Sequence, residues 1–288
     1  MKNSILLALF LAPTFAVSAE QILPDKLTSL PVLIRIPLTH GMTNCGTGLY
    51  LEYSNRVFLV TAAHVLFNSD STNREELNGA EANLCAYFSG TDNVIIVDLK
   101  KAMAEGLLRR HRSKDVAVVG IGMTSDTRRT QLYNTIHCDN PAGVTMPVLA
   151  TAENYVTWKE VQDASDTYTL GYPIQLLKTQ LEIKIPSQVD FSRPLIRKGI
   201  ISQHNQRTGK LIIDSGVFGG NSGGPVLVAE HTVPGVTAFK IAGIIIEYVP
   251  VLTQLAPTAA VTNSSVSVAN SGYGVAEPID YALELMRQ

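Results

Sequence analysis

Short apolar runs recur along this chain between stretches rich in glycine and proline, and long helical periodicity is scarce, which suits an all-β protein. Val32–Ile36 is apolar apart from Arg35 and reads as a strand. Gly48–Tyr53 and Val57–Thr61 follow as two strands joined at Ser54-Asn55, the spacing of a hairpin. Leu84–Phe88, Val94–Leu99 and Asp115–Ile121 continue the series. Asn68–Asn83 is polar and reads as a loop, and Thr124–Asn140 as a crossover between two groups of strands. The second group is expected at Pro147–Ala150, Thr167–Leu170, Leu181–Ile185, Arg197–Ser202, Lys210–Asp214, Val226–Ala229 and Ala238–Val249, closed by Gly272–Ala276. Ala102–Arg112 is either a short helix or an exposed basic loop, and its Arg109, Arg110, His111 and Arg112 read as a solvated face. Ala259–Gly272, rich in Ser, Asn and Val, reads as a mobile loop and includes the glycosylation sequon Asn263-Ser264-Ser265. One helix is expected, Glu277–Arg287, with Pro278 in its first turn and Ile279, Ala282, Leu283 and Met286 on one face. The pattern is that of an all-β chain in two bodies with a C-terminal helix.

Composition narrows the class. A chain of 288 residues that is 45% apolar can bury a sizeable core, and a net charge of −2 offers no basic field for nucleic acid or an anionic membrane. Residues 1–19 have the form of a secretory signal: Lys2, an apolar run from Ile5 to Ala12, and Val17-Ser18-Ala19 as a small-residue cleavage site. The apolar run is shorter than the roughly 20 residues of a membrane span. The mature chain is therefore expected to start at Glu20 and to be exported, to the periplasm or outside the cell. Three cysteines, Cys45, Cys85 and Cys138, allow at most one intramolecular disulfide. One bridge plus one thiol is expected, with Cys45 and Cys85 as the pair because both fall in the first group of strands; three thiols are the alternative. No zinc-ligand spacing accompanies them, and no metal or cofactor is expected.

Chemistry concentrates in Phe218-Gly219-Gly220-Asn221-Ser222-Gly223-Gly224-Pro225, which sets one hydroxyl among four glycines before an apolar run. Glycine permits a sharp turn and a close backbone approach. Ser222 reads as a nucleophile that needs a base to take its proton. The N–H groups of Gly220 and Ser222 read as donors to a developing oxyanion. Val60-Thr61-Ala62-Ala63-His64-Val65 puts a histidine at the end of an apolar strand, and Lys114-Asp115-Val116-Ala117 an aspartate at the start of another. His64 is the candidate base, and Asp115 the carboxylate that fixes its tautomer. The other five histidines lack such a setting, and Asp92 and Asp98 do not precede an uninterrupted apolar strand.

The order His, Asp, Ser, with gaps of 51 (115 − 64) and 107 (222 − 115) residues, together with the segments TAAHV, KDVAVV and GNSGGP, resembles the trypsin-like serine peptidase superfamily. Cys45-Gly46-Thr47-Gly48, Gly171-Tyr172-Pro173 and Gly199-Ile200-Ile201-Ser202 are similar to landmarks of its bacterial members, including the HtrA protease domain. The resemblance implies two six-stranded antiparallel β-barrels, about 31–122 and about 145–277; the helix over 278–287 is expected to follow, with no room after it for a PDZ domain like that of HtrA proteases. It implies an endopeptidase acting on proteins or peptides through an acyl-enzyme, without a cofactor. A non-cleaving peptide-binding protein and an esterase are the rival readings; the sequence gives no oligomeric state. Asn221 stands where vertebrate members carry an aspartate, and Glu20-Gln21-Ile22 lacks their Ile-Val-Gly-Gly terminus, so no zymogen cleavage is expected. In the superfamily the residue six before the nucleophile lies at the base of the pocket for the P1 side chain. That is Gly216, with Asp214 two residues further back. Ile246, Glu247, Tyr248 and Gly274 would form the walls, and small or medium apolar P1 residues are expected over Arg or Lys.

Overall fold

The computed structural model describes residues 23–38, 43–68, 76–79, 83–88, 94–124, 130–138, 151, 154–175, 189–190, 192–233, 236–255 and 265–288. The signal segment 1–19, the strands expected at Pro147–Ala150 and Leu181–Ile185, and Asn263-Ser264 of the sequon lie outside them.

A first sheet holds β1 (Pro31–Pro37), β2 (Thr43–Tyr53), β3 (Arg56–Thr61), β4 (Asn83–Phe88), β5 (Val94–Asp98), β6 (Leu108–Arg110), β7 (Ala117–Thr124), β8 (Thr130–Leu132) and β9 (Ile136–Cys138). Its order is β6-β7-β3-β2-β1-β4-β5-β9, with β8 on β7, and the pairings given for these strands are antiparallel. A second sheet closes into a barrel in the order β10 (Asp166–Gly171), β11 (Leu195–Asn205), β12 (Lys210–Asp214), β15 (Ser265–Pro278), β14 (Val236–Leu255) and β13 (Pro225–Val233). Two short helices, α2 (Ala63–Leu66) and α3 (Leu99–Ala104), interrupt the first sheet; α1 (Asp25–Thr28) precedes it and a C-terminal helix, Asp280–Met286, ends the chain.

The hairpin of β2 and β3 turns at Ser54 (φ 51°) and Asn55 (φ 61°), the left-handed pair that matches the twist of the flanking strands. β3 is apolar on both faces for a reason its own pattern hides. Val57 and Leu59 point into the core of the first sheet, while Phe58 and Val60 point into a core shared with Tyr168, Leu170, Leu227, Ile244 and the C-terminal helix. That shared layer glues the two sheets, at about 1.5–3 kcal/mol per buried aliphatic or aromatic side chain. A third core, with Ile201, Ile213, Val226 and Ile245, fills the barrel.

The mostly-β architecture of two curled antiparallel sheets with a small terminal helix agrees with the sequence reading. Its details differ. Among the described residues the first sheet has nine strands rather than six; β6, β8 and β9 are three residues each, too short to carry a period. Ala102–Arg112 is neither of the expected alternatives but the end of α3 followed by β6. The expected crossover contains β8 and β9, which attach to the first sheet. Ser265–Gly272, expected as loop, belongs to a strand, and Ser265–Asn270 pairs with Pro250–Leu255. Pro278 ends β15 rather than opening the helix, whose first residue is Asp280.

The expected Cys45–Cys85 disulfide is absent, and none of the three cysteines is bridged. Topology forbids it. Arg35 of β1 is the register partner of both Cys45 and Cys85, so a whole strand separates them. Two inter-strand steps of about 4.8 Å exceed the roughly 7 Å within which two Cα atoms can be bridged. Cys138 pairs with Ile95 and Cys85 with Ile96, so β5 likewise separates those two. Among the described residues no helix is long and apolar enough to cross a membrane.

Candidate active site

His64 lies on α2, directly after β3, and Asp115 in the irregular stretch that leads into β7, the neighbour of β3. Adjacent strands thus deliver the two residues to one end of the sheet. Asp115 meets His64 twice: Oδ1 accepts the His64 backbone N–H at 2.9 Å, and Oδ2 lies 2.6 Å from Nδ1. The Ala63 N–H also donates to the Asp115 carbonyl at 3.2 Å. Burial pushes the Asp115 carboxyl upward, but hydrogen bonds from the His64 ring and backbone and the charges of His64 and Arg110 outweigh it and hold the group below its ordinary value. An ionised carboxylate only accepts, so Nδ1 carries the ring proton and Nε2 keeps a lone pair. Asn78, which the sequence reading left inside a polar loop, donates to the carbonyls of His64, Val65 and Phe67 at 2.9, 3.0 and 3.1 Å and closes the C-terminal end of α2.

Ser222 comes from the other sheet, on the turn between β12 and β13. The turn needs its glycines. Gly220 (φ +104°) and Gly223 (φ +90°) are left-handed, and a Cβ on Gly223 would lie 1.9 Å from the Thr47 carbonyl oxygen. Thr47 of β2, fully buried, is the hub that holds the turn. Its N–H donates to the Ser222 carbonyl at 2.8 Å, its hydroxyl donates to the Gly220 carbonyl at 2.8 Å, and that hydroxyl accepts the Tyr172 N–H at 3.0 Å. Thr61 in turn donates to the Thr47 carbonyl at 2.7 Å. Gly46 packs between Val65 of α2 and the Ser222 carbonyl; a Cβ there would meet them at 2.7 and 3.2 Å. The Ser222 turn is therefore seated against the strand pair that carries His64.

The peptide planes of the turn are fixed from behind. The Gly219 carbonyl accepts the Gln175 N–H at 3.0 Å, and the Asn221 carbonyl accepts the Gly224 N–H at 2.9 Å. Gln175 also accepts the Gly219 N–H through Oε1 at 3.0 Å. In a trans peptide the N–H points opposite to the C=O. The N–H groups of Gly220 and Ser222 consequently point away from those partners, and among the described residues neither has an acceptor. The Ser222 hydroxyl donates to the Ile246 carbonyl at 3.2 Å, not to His64.

The residues expected around P1 are divided by the fold. Gly274 packs on Val217 and Ile213, where a Cβ would meet side chains at 2.5 and 3.0 Å. Gly216 faces Arg197 instead: a Cβ there would lie 2.6 Å from Nη1, and the guanidinium sits 4.7 Å from the Phe218 ring centroid. Ile246 is buried in the core of the first sheet. Glu247 is paired with Lys210 at 3.0 Å, and Tyr248 is the register partner of Gly274. Asp214 is exposed, in register with Ile200 and Tyr273. Val217 and Arg197 were missed by sequence reasoning, since neither belongs to a motif; Arg197 arrives from β11 and Val217 from the stretch between β12 and β13. A 210 Å³ cavity lined by Asn44, Cys45, Ile174, Gln175 and Gly220 opens on the other side of the turn. Among the described residues no three His, Cys, Asp or Glu side chains cluster as metal ligands.

The trypsin-like peptidase domain profile matches residues 46–236, well over half of the 288. The chain belongs to the trypsin-like peptidase family. No curated protein sequence matches this peptidase-family chain. Among solved structures, it is similar to the thermostable serine protease AL20 from an extremophilic microorganism, with a TM-score of 0.50 and 10% identity over 90% of this chain and 96% of that one. It is also similar to the serine endoprotease from Yersinia pestis, with a TM-score of 0.48 and 15% identity over 93% of this chain and 67% of that one. The HtrA-type protease AlgW, bound to a tripeptide, gives a TM-score of 0.44 and 16% identity over 92% of this chain and 63% of AlgW, so the chain spans under two thirds of that protein.

Proposed function

We propose that the protein is an exported serine endopeptidase in which Ser222 is the nucleophile, His64 the general base, Asp115 the orienting carboxylate, and the N–H groups of Gly220 and Ser222 the oxyanion donors. The observation that carries the reading is the two-point contact of Asp115 with His64, which leaves Nε2 as the basic nitrogen. For catalysis the Ser222 hydroxyl exchanges the Ile246 carbonyl for His64 Nε2 as its acceptor. Oγ then attacks the scissile carbonyl as His64 takes its proton. The oxyanion meets the two amides of the turn, and His64 returns the proton to the leaving amine. Water, activated by the same histidine, releases the acyl group. Export rests on residues 1–19. The preference for small or medium apolar P1 side chains is supported by Val217 and Ile213 beside Gly274, and the Arg197 charge beside Gly216 opposes a cationic P1 residue.

The Ser222–Ile246 hydrogen bond favours one rival, a peptide-binding protein whose hydroxyl stays turned from its base. Incubating the mature chain with unfolded casein and with a fluorophosphonate probe separates the two. A peptidase cleaves casein and is labelled at Ser222, whereas Ser222→Ala does neither. A folded wild-type chain that binds casein but is neither labelled nor active would overturn the reading.

A further inference from the structure

Of the two amides proposed as oxyanion donors, only one is oriented by its own turn. The Ser222 N–H shares a peptide plane with the Asn221 carbonyl, which accepts the Gly224 N–H at 2.9 Å. The Gly220 N–H shares a plane with the Gly219 carbonyl. Among the described residues, the hydrogen bond to that carbonyl comes from outside the turn, from the Gln175 N–H at 3.0 Å. The Thr47 hydroxyl holds the next plane, through the Gly220 carbonyl. One bond is a poor grip on the Gly219–Gly220 plane. Gly219 is exposed, so water competes for its groups, and with no Cβ it can turn into conformations that other residues rarely adopt. Gln175 adds a second bond: its Oε1 accepts the Gly219 N–H at 3.0 Å, and that N–H lies in the plane before Gly219. A single residue therefore holds the planes on both sides of the Gly219 Cα. Neither backbone torsion of Gly219 can turn far without breaking a hydrogen bond.

The stretch after β10 brings Gln175 to this place. The Tyr172 N–H donates to the Thr47 hydroxyl at 3.0 Å, and the Ile174 N–H donates to the Tyr172 carbonyl at 2.8 Å, a tight bend through Pro173. The bend abuts the Ser222 turn directly: a Cβ on Gly220 would lie 2.3 Å from the Tyr172 carbonyl oxygen and 2.7 Å from the Ile174 nitrogen. Solvation alone asks only for a polar side chain at the exposed position 175; an amide oxygen returned to the Gly219 N–H is a more specific demand. Were the Gly219–Gly220 plane to turn over, the Gly219 carbonyl would stand where a donor is needed, and its oxygen would repel an oxyanion. We propose that Gln175 is a positioning residue for the oxyanion donors: its N–H and its side-chain oxygen clamp the two peptide planes that meet at Gly219 and so keep the Gly220 N–H aimed into the site. The proposal rests on the triad and oxyanion reading above.

The experiment compares wild type, Gln175→Met and Gln175→Glu in the mature chain. Thermal melts establish that each is folded. Amide spectra of protein labelled with ¹⁵N at glycine alone, assigned with Gly219→Ala and Gly220→Ala, report the two planes without turnover. Met has similar length without the acceptor. It is expected to speed solvent exchange of the Gly219 N–H and to broaden the Gly220 signal through exchange between two orientations. Its kcat should fall about tenfold, and at least threefold, with KM little changed; tenfold is equivalent to about 1.4 kcal/mol in the transition state. Complete loss of one donor sets the limit, at about 10²–10³ in kcat. Glu keeps an acceptor oxygen at the same reach. In high salt, which screens its exposed charge, it is expected to keep the wild-type Gly220 signal and kcat within about threefold. Should Met not fold, Gln175→Ala takes its place with the same expected result. A folded Met or Ala variant with the wild-type Gly220 signal, or with kcat within threefold of wild type, overturns the proposal, as does a Glu variant as impaired as Met. A wild type with sharp Gly219 and Gly220 signals but neither turnover nor fluorophosphonate labelling sinks the peptidase reading instead, and the spectra of the Met variant still decide whether Gln175 holds the turn.

Discussion

Replacing Thr47 with valine removes one hydroxyl and changes little else in shape. That hydroxyl donates to the Gly220 carbonyl and accepts the Tyr172 N–H, in a fully buried position. In a rigid structure Thr47→Val strands one acceptor and one donor away from water, at about 1–3 kcal/mol each, or about 2–6 kcal/mol together. The chain will relieve part of this by movement, and the cheapest movement is in the glycine-rich Ser222 turn. Gly220 has no side chain to hold it, and its carbonyl is the freed partner. The Thr47 N–H bond to Ser222 survives, because it belongs to the backbone. The variant should therefore keep Ser222 in place and release the Gly220–Asn221 peptide plane, and with it, through the Gly220 Cα, the adjoining plane that carries the Gly220 N–H and is otherwise held by Gln175. Losing one oxyanion donor costs about 10²–10³ in kcat. The expected result is a fall in kcat of about that size with KM within a few-fold, accompanied by a lower melting temperature. Thr47→Ser, which keeps the hydroxyl, should remain within about tenfold of wild type. The assay is steady-state hydrolysis of a chromogenic peptide, paired with the rate of labelling by a fluorophosphonate, whose adduct also uses the oxyanion donors. A folded Thr47→Val enzyme with kcat within threefold of wild type would show that the Gly220 amide does not depend on Thr47.

Ser222→Ala and His64→Ala should each abolish casein hydrolysis without unfolding the chain, and the double variant should be no slower than either, the loss being on the order of 10⁶ in kcat; strict additivity in the kinetics would refute a shared role. All three cysteines should be alkylated after denaturation without reductant, and a disulfide-linked peptide in a non-reducing map would contradict the strand order around β1 and β5. On peptides differing only at P1, kcat/KM for Val or Leu should exceed that for Arg or Lys by more than about tenfold, and the reverse order would point to Asp214 or Glu247 as the base of the pocket. Burial, then repulsion from Asp115, raises the Glu277 carboxyl above its ordinary value despite Lys114 and Lys210. Between those two values the native state keeps a proton that the unfolded chain has lost, so stability falls as pH rises through that window. The melting temperature of Glu277→Gln relative to wild type should accordingly climb with pH, and a difference independent of pH would refute the assignment. Asp115 has the opposite sign: its depressed value contributes stability that is present above the unfolded carboxylate range and is lost on acidification.

The candidate chemistry was legible along the chain because it rests on local rules. A hydroxyl among glycines, a histidine at the end of an apolar strand and an aspartate at the start of another are properties of short segments, and so are the short apolar runs, broken by Gly and Pro, that mark an all-β chain. The hairpin at Ser54-Asn55 is equally local, since only the two turn residues need left-handed backbone. What packs against what was not legible. Val57 and Phe58 look alike in sequence, yet one faces the core of the first sheet and the other the layer between the sheets. Cys45 and Cys85 share a sheet, but the strand order sets β1 between them, and sequence separation carries no information about that order. Three-residue strands such as β6, β8 and β9 exist because a neighbouring edge offers hydrogen bonds, not because of their own periodicity. Thr47 meets the Ser222 turn from the other sheet, across more than a hundred residues, while Gln175 and Arg197 meet it from other parts of the barrel's own chain. None of these contacts is written in a local pattern, because only the closing of the barrel and its seating against the first sheet bring the partners within reach.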